Sequence, residues 1–221
     1  MSEMTEIMRK QREVLDRLRK RSMYVGYSKY SIVLLLDVSG SMSGVKIEDA
    51  KEAIIHFLRG VNLAENEVGL VAFGLIGFRQ KPTARRIAVS ELSRDYVHLE
   101  AKVRSFEAAG DTPMMIAIKA AYEKLLKEKL GPVMVIATDG QPTDASEEEI
   151  LEYAYPIKRE GVRIITIGIG GDVNQNFLGA LASSAEDYHF AKASFELKKI
   201  YKEVADILAL PGKRTDYLKE V

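Results

Sequence analysis

Asp37-Val38-Ser39-Gly40-Ser41 stands directly behind the apolar run Ile32 to Leu36 and offers one carboxylate and two hydroxyls at alternate positions. A carboxylate at the carboxyl end of a buried parallel strand lies where open α/β sheets bind ligands, in the crevice beyond the strand ends. Carboxylate and hydroxyl oxygens form the hard donor set of a divalent ion such as Mg²⁺. The absence of thiolates and imidazoles from the segment argues against zinc. The same residues also fit a strand-to-helix turn in which Asp37 caps the next helix, and this segment alone leaves both readings open.

Two later segments favour the metal. Pro132 to Thr138 is a second apolar run and ends in Thr138-Asp139-Gly140-Gln141-Pro142-Thr143-Asp144, which puts Asp139 at the position equivalent to Asp37. Between them, Gly110-Asp111-Thr112-Pro113 opens an amphipathic helix. Thr112 directly precedes a proline suited to a first helical turn, so its hydroxyl either caps that helix or faces the crevice. Asp37, Ser39, Ser41, Thr112 and Asp139 together make a five-residue oxygen constellation. With no ion between them, Asp37 and Asp139 are expected to repel each other.

In this order the three segments resemble the metal-ion-dependent adhesion site of the von Willebrand factor A domain family, which includes the integrin inserted domain. The resemblance covers about residues 31 to 210. It implies that Ser39, Ser41 and Thr112 give hydroxyls directly to Mg²⁺ (or Mn²⁺), while Asp37 and Asp139 act largely through bound water. A coordination position is then left for an Asp or Glu of a protein partner. The family often has a glycine where this chain has Asp111, and the added carboxylate implies a changed metal affinity or partner charge preference. Stand-alone intracellular members often work beside AAA+ ATPases, which suggests that partner class. The implied function is metal-dependent protein recognition without catalysis.

Other chemistries match less well. There is no Gly-x-x-x-x-Gly-Lys-Ser/Thr loop, and glycines 168, 170 and 171 lack the dinucleotide spacing. A Mg²⁺-dependent phosphohydrolase with Asp37 as nucleophile is the enzymatic alternative, but many such enzymes carry a second acid two residues later, where this chain has Ser39. A structural subunit with a vestigial metal site is a third reading. His56, His98 and His189 are scattered, and no Gly-x-Ser-x-Gly is present.

Composition sets outer limits. The 221 residues suit one α/β domain with an appendage, and 47% hydrophobic with 29% charged residues is ordinary for a folded protein. Thirty-two basic against 32 acidic residues remove any global electrostatic case for nucleic-acid binding. With no cysteine there is no disulfide framework, iron–sulfur cluster or thiol nucleophile. The amino terminus lacks the apolar core of a signal peptide, and no apolar run approaches the roughly 18 residues of a membrane span. A cytoplasmic protein is the resulting expectation.

The elements that must position the site follow from periodicity. Strands are expected over about residues 31–37, 67–73, 86–89, 132–138, 163–169 and 188–190, the second and third as an antiparallel pair. Helices are expected over about 46–59, 95–106, 113–129, 146–159, 175–182 and 195–208. Ser146 and Glu149 have capping-box spacing, and the acidic run Asp144, Glu147, Glu148, Glu149 and Glu152 reads as a solvated helix start. Alternation of strands and helices implies a doubly wound, mostly parallel, Rossmann-like sheet with one antiparallel edge strand and helices on both faces. The expected organisation is an amino-terminal amphipathic helix and linker over residues 1–29, the domain over 30–210 and a tail over 211–221. The first helix carries Met4, Ile7, Met8, Val14, Leu15 and Leu18 on one face, amid Arg9, Lys10, Arg12, Arg17, Arg19, Lys20 and Arg21. Its stripe suits packing on its own domain, a partner groove or a membrane surface.

Overall fold

Strand β1, Tyr30–Asp37, is buried at every position, and β4, Gly131–Thr138, is equally so. Such runs, apolar on both sides, belong in the middle of a parallel sheet covered by helices on both faces. The computed structural model describes residues 29–76, 85–128 and 130–209. Within these lie α1 (Val45–Gly60), β2 (Glu67–Ile76), β3 (Arg85–Val89), α2 (Tyr96–Arg104) and α3 (Met114–Leu125). After β4 come α4 (Glu147–Arg159), β5 (Arg163–Ile169), α5 (Gln175–Leu181), β6 (Tyr188–Ala191) and α6 (Leu197–Ala209). The expected amino-terminal helix and carboxyl-terminal tail lie outside the described residues.

The strand order is β3-β2-β1-β4-β5-β6. All neighbours pair in parallel except β2 and β3, which are antiparallel at one edge as expected. Side chains alternate across the sheet. Ile32, Leu34 and Leu36 join one core beneath α1, α2 and α6, whereas Val33 and Leu35 join a second beneath α3, α4 and α5. The chain leaves β1 toward β2 on one side and continues from β4 toward β5 on the other. The crevice beyond the carboxyl ends of β1 and β4 is therefore the topological switch point, where open sheets of this kind hold ligands.

Helix ends follow local chemistry. Ser146 and Glu149 form the expected reciprocal capping box at α4. Asp95 and Asn174 cap α2 and α5 through bonds to the backbone N–H groups of His98 and Phe177. The helix expected from residue 195 starts at Leu197, because Ser194–Glu196 form a tighter turn in which the Glu196 carboxylate accepts from Lys192 N at 2.7 Å. Among the described residues no helix is long and apolar enough to cross a membrane.

Candidate metal centre

Asp37 lies at the end of β1 with no solvent exposure, and both of its oxygens are engaged. Oδ1 accepts the Ser39 N–H at 2.8 Å, which folds the chain sharply after the strand and turns the Ser39 hydroxyl back toward the strand end. Oδ2 accepts the Thr138 hydroxyl at 2.6 Å. That bond joins the two central strands directly, since Leu36 is opposite Ala137 in their register. Burial pushes the Asp37 carboxyl up to about 6, against the hydrogen bonds from Thr138 and Ser39, while the Asp139 charge adds a smaller upward push.

A chain of oxygens continues from there. Ser39 Oγ and Ser41 Oγ are 2.9 Å apart, and the Ser41 hydroxyl donates to Asp139 Oδ1 at 2.7 Å. Asp139 is itself buried, while Ser41 is exposed at the crevice mouth. Thr112 faces the same space. A Cβ placed on Gly140 would lie 3.3 Å from Thr112 Oγ1 and 3.9 Å from Ser41 Oγ. Of the two roles open to the Thr112 hydroxyl, its place beside Gly140 fits the crevice-facing one, and the cap position of α3 is taken by Pro113.

The loop bearing Thr112 is strapped to the loop after β1. Ala109 N–H donates to Val38 O at 2.7 Å, and Gly40 N–H donates to Gly110 O at 2.9 Å. Gly110 has φ of 77°, a left-handed conformation that glycine reaches without penalty. On the other side, Thr112 N–H donates to Thr143 Oγ1 at 3.1 Å, and Thr143 N–H donates to Thr112 O at 3.0 Å. The Thr143 hydroxyl is 3.3 Å from Asp111 Oδ2, so the departure at residue 111 is tied into the loop after β4. All five residues expected from the sequence thus border one crevice.

Three contributors were not expected as such. Thr138 holds Asp37, and a hydroxyl closing an otherwise apolar buried strand was the available signal. Asp144 is not simply a solvated acid before α4: its carboxylate accepts from Met115 N at 3.1 Å and Ile116 N at 2.9 Å. It therefore caps α3 across the crevice and fixes the helix behind Thr112. Lys46 reaches Asp139 Oδ2 at 2.6 Å, so the expected pair of mutually repelling aspartates includes a cation from this chain. Lysine in the first turn of a helix opposes the helix dipole, and that misfit was a legible hint of a nearby anion.

The donor chemistry fits a hard divalent cation. Two carboxylates and three hydroxyls converge with no thiolate or imidazole among them, which is an oxygen-only environment. Among the described residues there is no group of three or more His, Cys, Asp or Glu that could hold a metal ion. Any metal held here relies on serine and threonine oxygens.

Residues 31–203 match the family model of the von Willebrand factor type A domain. The chain belongs to that family. Its members are protein-interaction modules, some of which carry a metal-ion-dependent adhesion site. The inter-alpha-trypsin inhibitor heavy chain H3 of Rattus norvegicus is 29% identical over 80% of this chain, and heavy chain H4 of Homo sapiens is 27% identical over 80%. Those matches span only 21% and 20% of the relatives' own lengths. Among solved structures, proximal thread matrix protein 1 from the mussel byssus, with a zinc-occupied site of this kind, superposes with a TM-score of 0.68 at 18% identity. It covers 83% of this chain and 46% of its own. The SpRpn10 von Willebrand factor A domain gives a TM-score of 0.59 at 21% identity over 76% of this chain and 93% of its own. These likenesses establish the shared fold.

Proposed function

We propose that this von Willebrand factor A domain is a Mg²⁺-dependent protein-binding module that captures an acidic residue of a protein partner and does no bond-breaking. The observation that carries this reading is the convergence of Asp37, Ser39, Ser41, Thr112 and Asp139 on one crevice at the switch point of the sheet. Ser39, Ser41 and Thr112 hold the ion through neutral hydroxyl oxygens, with Asp37 and Asp139 behind them. When bound, the ion supplies positive charge to an incoming carboxylate. The protein's own work is positioning: Thr138 orients Asp37, the strap between residues 38–40 and 109–110 sets the two loops, and Asp144 fixes α3 behind Thr112.

The phosphohydrolase alternative has less to support it. A nucleophilic carboxylate needs a reachable oxygen, whereas Asp37 has no solvent exposure and both its oxygens accept bonds from Ser39 and Thr138. We assign the module to cytoplasmic complex assembly, with an AAA+ ATPase as a candidate partner class. Zinc in the mussel structure makes the choice of metal a separate question from its presence.

Capture from native lysate with Mg²⁺, with Mn²⁺, with Zn²⁺ and with chelator tests the reading. Wild type should retain a protein partner in a divalent ion and release it in chelator. Asp139→Ala should retain none, and replacing one Asp or Glu of the captured partner by Ala should abolish binding. Equal capture in chelator, or by Asp139→Ala, overturns it.

A further inference from the structure

We propose that Lys46 is a tethered cation of this site: its ammonium holds Asp139 in the metal-free protein and sets how tightly a divalent ion binds. The proposal rests on the metal-binding reading above and adds a regulating residue to it. Lys46 Nζ lies 2.6 Å from Asp139 Oδ2, while Ser41 Oγ donates to Oδ1 of the same carboxylate at 2.7 Å. The ammonium and the hydroxyl chain thus hold opposite oxygens of one buried group. Asp139 has no side-chain exposure, and Lys46 keeps about a third of its own at 35%. The lysine can therefore swing into solvent, whereas the aspartate stays in place.

The position of Lys46 makes packing or helix stability a poor account of it. It is the second residue of α1, where the exposed N–H groups repel cations. The neighbouring first-turn acid, Glu48, is directed to Lys51 at 2.9 Å, leaving Asp139 as the anion that Lys46 meets. The rim carboxylates are engaged elsewhere, Asp111 with Thr143 and Asp144 with the backbone of α3.

Charge decides the consequence. Asp37 and Asp139 together carry two negative charges, which a divalent ion cancels. With Lys46 present, the metal-free site is half-neutralised and the loaded site keeps one positive charge. Lys46 therefore opposes the ion by like-charge repulsion and leaves the loaded site suited to one partner carboxylate.

The test is titration with Mn²⁺ alone, followed by electron paramagnetic resonance of the free ion, on the whole chain as wild type, Lys46→Met and Lys46→Arg. Methionine keeps the unbranched stem and removes the charge; arginine keeps the charge. At low ionic strength Lys46→Met should bind Mn²⁺ at least about tenfold more tightly than wild type, with Lys46→Arg near wild type and the gap narrowing as salt rises. Binding by Lys46→Met where wild type shows none supports the same conclusion. Equal or weaker binding by a Lys46→Met protein whose circular dichroism matches wild type overturns the role of Lys46 and leaves the metal reading intact. No binding by any of the three proteins overturns both.

Discussion

At Asp37, burial and hydrogen bonding pull in opposite directions, and burial wins. The carboxyl is pushed up to about 6 from the ordinary aspartate range, so in the metal-free protein its ionised form costs stability. The sign follows from linkage. A raised acid contributes most to the folded state below its unfolded value near 4, and that contribution is lost as pH rises through about 6. Asp37→Asn keeps the shape, can accept the Ser39 N–H and can donate to Thr138 Oγ1. The metal-free variant should be more stable than wild type by about 1 to 3 kcal/mol at pH 7, with the gap closing near pH 4. Urea unfolding in chelator at the two pH values measures this; a less stable variant at pH 7 would contradict it. Asp139 differs in its partners: Lys46 and Ser41 hold its two oxygens, where Asp37 has Ser39 and Thr138. The five oxygen-bearing residues were legible because they cluster at the ends of two apolar strands and just before a helix. Thr138 and Lys46 left only hints and Asp144 was read as a solvated helix start, because their partners are 101, 93 and up to 29 residues away in the chain.

The loop after β1 depends on a neighbouring strand with no room to spare. A Cβ on Gly74 of β2 would lie 2.6 Å from the carbonyl oxygen of Val38 and 2.7 Å from its carbonyl carbon. The obstacle is backbone, which cannot rotate aside as a side chain can. Val38 is fixed further by its own N–H to Phe73 O at 2.8 Å and by Ala109 N–H to its carbonyl at 2.7 Å. Gly74→Ala should therefore cost about 1 to 3 kcal/mol by overpacking and displace Ser39 and Ser41 with it. A melt with and without Mg²⁺ checks both effects: the variant should melt lower and lose most of its Mg²⁺ response, and an unaltered response would show that the loop tolerates the shift. The elements themselves were readable from period. β5 was expected at the bounds it has, and the antiparallel edge pair followed from two short apolar runs around a loop. The start of α6 was misjudged because Phe195 fits the helical pattern yet sits exposed in the turn before it.

Because the site draws on loops after β1, before α3 and after β4, an ion bound there couples to the folded state as a whole and is absent from the unfolded chain. Mg²⁺ at about ten times its dissociation constant should add roughly 1.4 kcal/mol, or about 3 to 6 °C in melting temperature for a chain of this size. Calorimetry with Mg²⁺ and with chelator measures it, and a wild-type protein indifferent to tens of millimolar Mg²⁺ would favour the vestigial-site reading. The doubly wound arrangement was legible from alternating strands and helices, and the switch point followed from it. The strand order also bears on how the chain is made. β1 pairs on one side with β2, Ser31 opposite Glu67, but on the other with β4, Tyr30 opposite Gly131. During synthesis its second edge must stay open until about a hundred further residues have emerged, the separation at which parallel pairing is slow and exposed strand edges invite association. The central strand that begins the domain thus waits through a longer stretch of chain for its second neighbour than β2, β4 or β5 does, and a nascent chain carries that open edge until β4 arrives.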